Sequence, residues 1–90
     1  MNTPELQTML VLSTSHLNPE MEVRVKRTYG YDLEGYGALL YCGEQALEEI
    51  VRTLPEMEEL LRCAVSLGAD WIKFDPDGPV MESLPVYELE

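Results

Sequence analysis

The residues best suited to chemistry lie near the end of the chain. Trp71-Ile72-Lys73-Phe74 is a compact apolar run with one lysine inside it, and it stops at Asp75-Pro76-Asp77-Gly78-Pro79. Asp75, Asp77 and Glu82 place three carboxylates in one short loop, the hard oxygen donors that Ca2+ takes. The spacing is not that of an EF-hand. Gly78 comes too early, and position twelve counted from Asp75 is Val86 rather than a bidentate glutamate. A tight turn is the simpler expectation. Proline presets φ at the second place, glycine tolerates unusual backbone angles at the fourth, and the acids accept local backbone N–H groups. A second set of candidates suits nucleophilic catalysis: His16, the only histidine, with Ser13, Ser15, Cys42 or Cys63. A base must hold its nucleophile within hydrogen-bond reach, and proximity in sequence does not supply that. A capping or surface histidine is therefore expected. The two cysteines form no C-x-x-C pair, so they read as reduced, partly buried thiols rather than a zinc or dithiol site. No cofactor and no metal are expected.

Charge points elsewhere. Seventeen acids face six bases, a net charge of −11. A small soluble domain usually carries a magnitude of about 2–8. Direct binding to nucleic acid or to an anionic membrane is therefore not expected, and a basic partner surface is the natural complement. Glu44, Glu48, Glu49, Glu56, Glu58 and Glu59 fall on two expected helices. Acids three or four apart on a helix have Cβ atoms about 5–6 Å apart, a spacing comparable with that of successive phosphates. Asp75, Asp77, Glu82, Glu88 and Glu90 form an alternative row. No glycine-rich phosphate loop and no aromatic-plus-basic patch are visible.

The elements that would position these residues can be read in order. Ninety residues make one domain, and 46% hydrophobic content argues against disorder. No apolar run approaches the roughly 18–20 residues of a membrane span, and Met1–Glu5 lacks a basic n-region, so a cytoplasmic protein is expected. Leu10–Ser15 reads as a first strand, central because its apolar core at Met9–Leu12 would serve both faces. Asn18-Pro19 is an N-cap followed by proline at the first helical position, which favours a helix to about Arg27. Val23, Val25 and Tyr29 alternate with Arg24 and Lys26, so a strand competes there. The three bases at 24, 26 and 27 are expected to pair with acids in the domain or on a second copy. Tyr29–Gly35 is a loop or hairpin segment, and Tyr36–Cys42 a second strand in which Gly37 permits close packing. A helix over Glu44–Thr53 buries Ala46, Leu47, Ile50 and Val51. Thr53 and Glu56 form a capping-box pattern for a further helix, Pro55–Leu67, ended by Gly68. That helix buries Met57, Leu60, Leu61 and Ala64, with Val65 at the margin. Trp71–Asp75 is a third strand, with Trp71 expected between sheet and helices. Pro85–Tyr87 would add a short edge strand.

Two resemblances bear on function. The run W-I-K-F-D-P-D-G resembles the nucleophile motif of haloacid-dehalogenase-type phosphatases, in which the first Asp attacks phosphorus and the second is acid and base. That motif opens the fold in the family, whereas only thirteen residues follow Asp77 here, so phosphatase activity is not expected. The second is broader. L-V-L-S-T-S-H-L, G-Y-G-A-L-L-Y, A-D-W-I-K-F-D-P-D-G-P-V and L-P-V-Y-E resemble a family of small bacterial proteins carried on plasmids, prophages and other mobile elements. The resemblance implies a compact α/β fold and no catalytic residues. It also implies a setting in which small acidic proteins disarm host defences, including CRISPR–Cas complexes and restriction enzymes, by nucleic-acid mimicry.

The expected fold is a single α+β domain over residues 1–90: a sheet of three to four strands with two to three helices on one face. The expected function is a non-enzymatic anti-CRISPR-type or anti-restriction inhibitor. It would bind a basic nucleic-acid-binding protein through Glu44, Glu48, Glu49, Glu56, Glu58, Glu59, Asp75, Asp77 and Glu82. The alternatives are an accessory or oligomerisation domain, including a homodimer, and a metal- or ligand-binding domain centred on Asp75 and Asp77.

Overall fold

The computed structural model describes residues 4–87. It is an α+β domain with one mixed sheet. The strands are β1 (Met9–Ser13), β2 (Tyr31–Asp32), β3 (Ala38–Tyr41) and β4 (Trp71–Asp75), in the order β1-β4-β3-β2. β1 runs parallel to β4, while β4 with β3 and β3 with β2 are antiparallel. The helices are α1 (Pro19–Arg24), α2 (Glu44–Thr53) and α3 (Glu58–Ser66).

β4 and β3, not β1, are the inner strands, which corrects the expectation that the first strand is central. β1 pairs only with β4. Its apolar residues divide by the two-residue period of a strand. Leu12 is buried and Leu10 half-buried on the helix side, while Met9 and Val11 are exposed on the other. β1 also ends sooner than expected. The Ser13 hydroxyl accepts from the Ser15 N–H at 3.1 Å, capping a 3-10 turn over Thr14–His16.

Residues 19–29 are helical. Asn18 Oδ1 accepts from the Met21 N–H at 2.8 Å, and Pro19 opens α1. The chain then widens into a π-helical turn, Val25–Tyr29. Met21 and Val25, four apart, face the core, while Val23 is exposed; helical spacing prevailed over the alternation. Lys26 pairs with Glu22 at 3.2 Å; Arg24 and Arg27 make no ion pair among the described residues. Tyr31–Asp32 and Ala38–Tyr41 then form a hairpin, one of the two readings of that segment.

α2 buries Ile50 and half-buries Ala46, Leu47 and Val51, as its periodicity requires. The capping box at Thr53 does not form. The Thr53 hydroxyl turns back to Ile50 O at 3.3 Å and also meets the Tyr29 hydroxyl. Pro55–Met57 is a 3-10 turn leading into α3. α3 closes as expected, with Gly68 at φ 76° donating to Val65 O and Ala69 donating to Ala64 O, both at 3.0 Å. Val65 is exposed rather than buried.

All helices lie on one face of the sheet. Leu12, Ala38, Leu40, Ile72 and Phe74 from that face share one core with Leu17, Met21, Val25, Ile50, Leu54, Met57, Leu60, Leu61 and Ala64. Trp71 is not part of it, against expectation. In β4 the residues at 72 and 74 point to the helices, so Trp71, Lys73 and Asp75 point to the open face. Pro85–Tyr87 is not a strand; it anchors the tail by the bonds described next.

Candidate functional site

The Asp75–Gly78 turn forms as the sequence implies. Gly78 N–H donates to Asp75 O at 2.9 Å, and Asp77 N–H donates to Asp75 Oδ1 at 2.9 Å. Asp75 Oδ2 accepts from Lys73 Nζ at 3.1 Å. The Asp77 N–H, and then the Lys73 ammonium, hold the Asp75 carboxyl below its usual range. Both of its oxygens are thus engaged within the turn and strand. Glycine is needed at 78 for a reason other than φ, which is not positive there. A Cβ would lie 2.7 Å from Leu12 O and 2.9 Å from Leu12 C, so only glycine lets the turn close against β1. Among the described residues no three of His, Cys, Asp and Glu converge as metal ligands, so Asp75, Asp77 and Glu82 are not brought together as a donor set.

His16 is 1% exposed and holds the tail. Its Nδ1–H donates to Pro85 O at 2.7 Å, and its Nε2 accepts from the Met81 N–H at 2.9 Å. A backbone acceptor on one side and a backbone donor on the other select the neutral Nδ1–H tautomer. Ser13 N–H to Pro79 O and Tyr87 N–H to Ser15 O, both 2.8 Å, complete the strap. No hydrogen bond joins His16 to Ser13, Ser15, Cys42 or Cys63 among the described residues; the two serine hydroxyls bond each other at 2.8 Å. Burial, with a smaller contribution from the nearby Asp70 charge, pushes the Cys42 thiol up to about 12, which keeps it protonated. The Cys63 thiol donates to the Met81 sulfur at 3.4 Å.

The helical acids sit where their spacing puts them. Glu44, Glu48, Glu49, Glu56 and Glu59 are exposed; Glu58 is half-buried and pairs with Arg62 at 2.9 Å. Glu44 and Glu48 form one wall of a groove of about 350 Å³ between α2 and α3. Leu47 and Val65 contribute its apolar lining, and Arg62 and Ser66 stand on the α3 side. Glu49 lies on the other flank of α2, beside Tyr41 and Gly43. Asp77 and Glu82 are exposed, in the turn and tail, and Glu88 and Glu90 lie outside the described residues. Of the nine acids, only Glu58 and Asp75 have an ion-pair partner among the described residues.

One surface escaped the sequence reading. The open face of the sheet carries Met9, Val11, Tyr31, Leu39, Tyr41, Trp71 and the Lys73–Asp75 pair. Tyr41 packs edge-on against Trp71 with centroids 5.2 Å apart, and the Tyr31 ring centroid lies 6.4 Å from that of Trp71. Trp71 Nε1–H donates to Gln7 Oε1 at 2.8 Å. The signal was the two-residue period in M-L-V, L-L-Y and W-I-K-F-D, which divides each strand between two faces. No helix of the described residues is long and apolar enough to cross a membrane.

No curated protein and no solved structure matches the chain. A family model described as the C-terminal domain of a family of unknown function, DUF5983, matches residues 9–89, and the chain belongs to that family.

Proposed function

We propose that this chain is a non-enzymatic, acidic protein-binding inhibitor, acting in the cytoplasm. It occupies a basic nucleic-acid-binding surface of a bacterial defence complex, of the CRISPR–Cas or restriction class, by mimicking nucleic acid. The observation that carries the reading is the state of the acids. In a chain of net charge −11, Glu44, Glu48, Glu49, Glu56, Glu59, Asp77 and Glu82 are exposed and have no ion-pair partner among the described residues. Charges left unneutralised on rigid helices keep a field that steers a basic partner and displaces its counterions, as a phosphate backbone does. The α2 and α3 rows are favoured over the turn row, because Asp75 is already spent on Asp77 N–H and Lys73. That same engagement weighs against a metal site at Asp75 and Asp77.

The test is a charge reversal. Glu48→Lys with Glu59→Lys changes two exposed positions and should alter stability by no more than about 0.5 kcal/mol each. A partner is captured from bacterial lysate on the wild-type chain under washes of rising salt, then purified. Wild-type protein should displace nucleic acid from that partner, and binding should weaken steeply with salt. The double variant should bind far more weakly and restore nucleic-acid binding. Undiminished affinity in this variant and in Asp77→Lys with Glu82→Lys, or failure of the wild type to compete with nucleic acid, ends the mimic reading.

A further inference from the structure

We propose that the groove between α2 and α3 is an arginine-anchoring site, which takes one arginine side chain from a basic partner; the inference rests on reading the acidic helices as the binding face. Matched spacings build the groove. Glu44, Leu47 and Glu48 stand on one flank of α2, and Arg62, Val65 and Ser66 on the flank of α3 that faces it, both rows at i, i+3, i+4 spacing. Leu47 is half-buried and Val65 exposed, so the floor keeps apolar surface that the core does not cover. Glu44 and Glu48 lie one helical turn apart, both exposed and neither with an ion-pair partner among the described residues.

Size, polarity and charge select the occupant. A space of about 350 Å³ holds one long side chain but not a helix, which is about 10 Å across with its side chains. An apolar floor beside two free carboxylates calls for an aliphatic stem ending in a cation, which lysine and arginine have. Arginine fits better. Its planar fork donates to two acceptors at once and sheds water more readily than an ammonium. Glu44 and Glu48 are the acceptors on one wall, and Ser66 Oγ is a third on the other. The Ser66 hydroxyl proton is committed to Cys63 O at 2.8 Å, which leaves the oxygen lone pairs to accept.

Arg62 is the one cation lining the groove, and it does not fill this role. Its Nε and Nη2 both donate to Glu58 Oε2, at 3.0 and 2.9 Å, which holds it along its own helix. A surface built for nucleic acid supplies the missing group, because arginine is the side chain that grips phosphate through two parallel hydrogen bonds.

An NMR titration of the isotope-labelled full chain tests this without any partner. The probes are acetyl-Gly-Arg-Gly-amide and the same peptide with lysine or norleucine at its centre. The arginine peptide should shift the amides of Leu47, Glu48, Val65 and Ser66 most, and bind at least about threefold more tightly than the lysine peptide. Val65→Ser changes an exposed residue and no charge, and should stay folded by circular dichroism. It should still weaken the arginine peptide at least about threefold, since the stem loses its apolar floor. Arg62→Gln removes the groove's own cation and should tighten binding. Shifts spread equally over Glu56, Glu59, Asp77 and Glu82 would mean diffuse attraction by charge and overturn the proposal. So would absence of binding, a norleucine or lysine peptide that binds as well, or Val65→Ser that binds like wild type. The mimic reading fails on a different result, when wild-type protein does not displace nucleic acid from the captured partner. Where it does, Val65→Ser should displace at least about threefold less well.

Discussion

Replacing His16 should release the tail before it unfolds the domain. His16→Ala removes two hydrogen bonds, Nδ1–H to Pro85 O and Met81 N–H to Nε2, from a residue that is 1% exposed. Each bond is worth about 0.5–1.5 kcal/mol net, and stranding a poorly solvated donor such as Met81 N–H adds about 1–3 kcal/mol. Water reaching the loosened tail offsets part of this, so the expected cost is about 2–4 kcal/mol. Ninety residues at about 0.05–0.15 kcal/mol each give a total stability of about 5–13 kcal/mol, so the variant folds with a reduced margin. In urea, with a slope of about 1–1.5 kcal/mol per molar, the midpoint should fall by at least about 1.3 M. Amide exchange locates the effect. Met81 and Tyr87, whose N–H groups belong to the strap, should lose protection first, while Ile72 in the central strand keeps protection equal to global stability. His16→Asn can retain the Pro85 bond but not the Met81 bond, and should fall between wild type and alanine. A stability change below about 0.5 kcal/mol, the range of an ordinary surface substitution, would refute the assignment of His16 as the tail's anchor. So would exchange that accelerates equally at Ile72 and Met81.

Further outcomes follow from the same geometry. Gly37 has φ 103°, and an added Cβ would lie 1.8 Å from Phe74 O, so Gly37→Ala should cost well over about 1 kcal/mol; Gly35→Ala, with nothing within 4 Å, should leave the thermal midpoint nearly unchanged. Cys42, buried and raised to about 12, should resist iodoacetamide in the native protein at neutral pH and react only on unfolding, which mass spectrometry of the labelled peptides reads directly. Asp75 has a lowered folded pKa, so its charge stabilises the fold above the unfolded value of 3.8 and that contribution is lost as pH falls through the folded value. Wild type should therefore exceed Asp75→Asn in denaturation midpoint at neutral pH, with the gap closing as acid is added below 3.8; a gap that widens in acid would contradict the Lys73 and Asp77 contacts.

What this sequence determines by itself is short-ranged. Asn18-Pro19 starts a helix because an Asn side chain can reach the N–H three residues on, and Gly68 ends one because the closing turn needs a left-handed residue. Ala46, Leu47, Ile50 and Val51 declare the buried flank of α2, and the same periodicity leaves Glu44, Glu48 and Glu49 in water. The Asp75–Gly78 turn, the hairpin before β3 and the net charge of −11 were legible for the same reason: each depends on neighbours a few residues away or on none. The tertiary structure decided which strand is central, where Trp71 points and what His16 does. The apolar run at Met9–Leu12 reads as a central strand, yet β1 lies at the edge and pairs only with β4, while β4 and β3 each pair on both sides. The side of the sheet given to Trp71 depends on where the helices dock, which alternation cannot state. His16 bonds across 65 and 69 residues to the backbone of Met81 and Pro85, whose positions are set by the close approach of Gly78 to Leu12. Thr53 likewise abandoned a local capping box once packing brought the Tyr29 hydroxyl within reach. Local propensity is written in spacing, but long-range pairing is chosen by the burial of the whole core, and its partners are not neighbours in the chain.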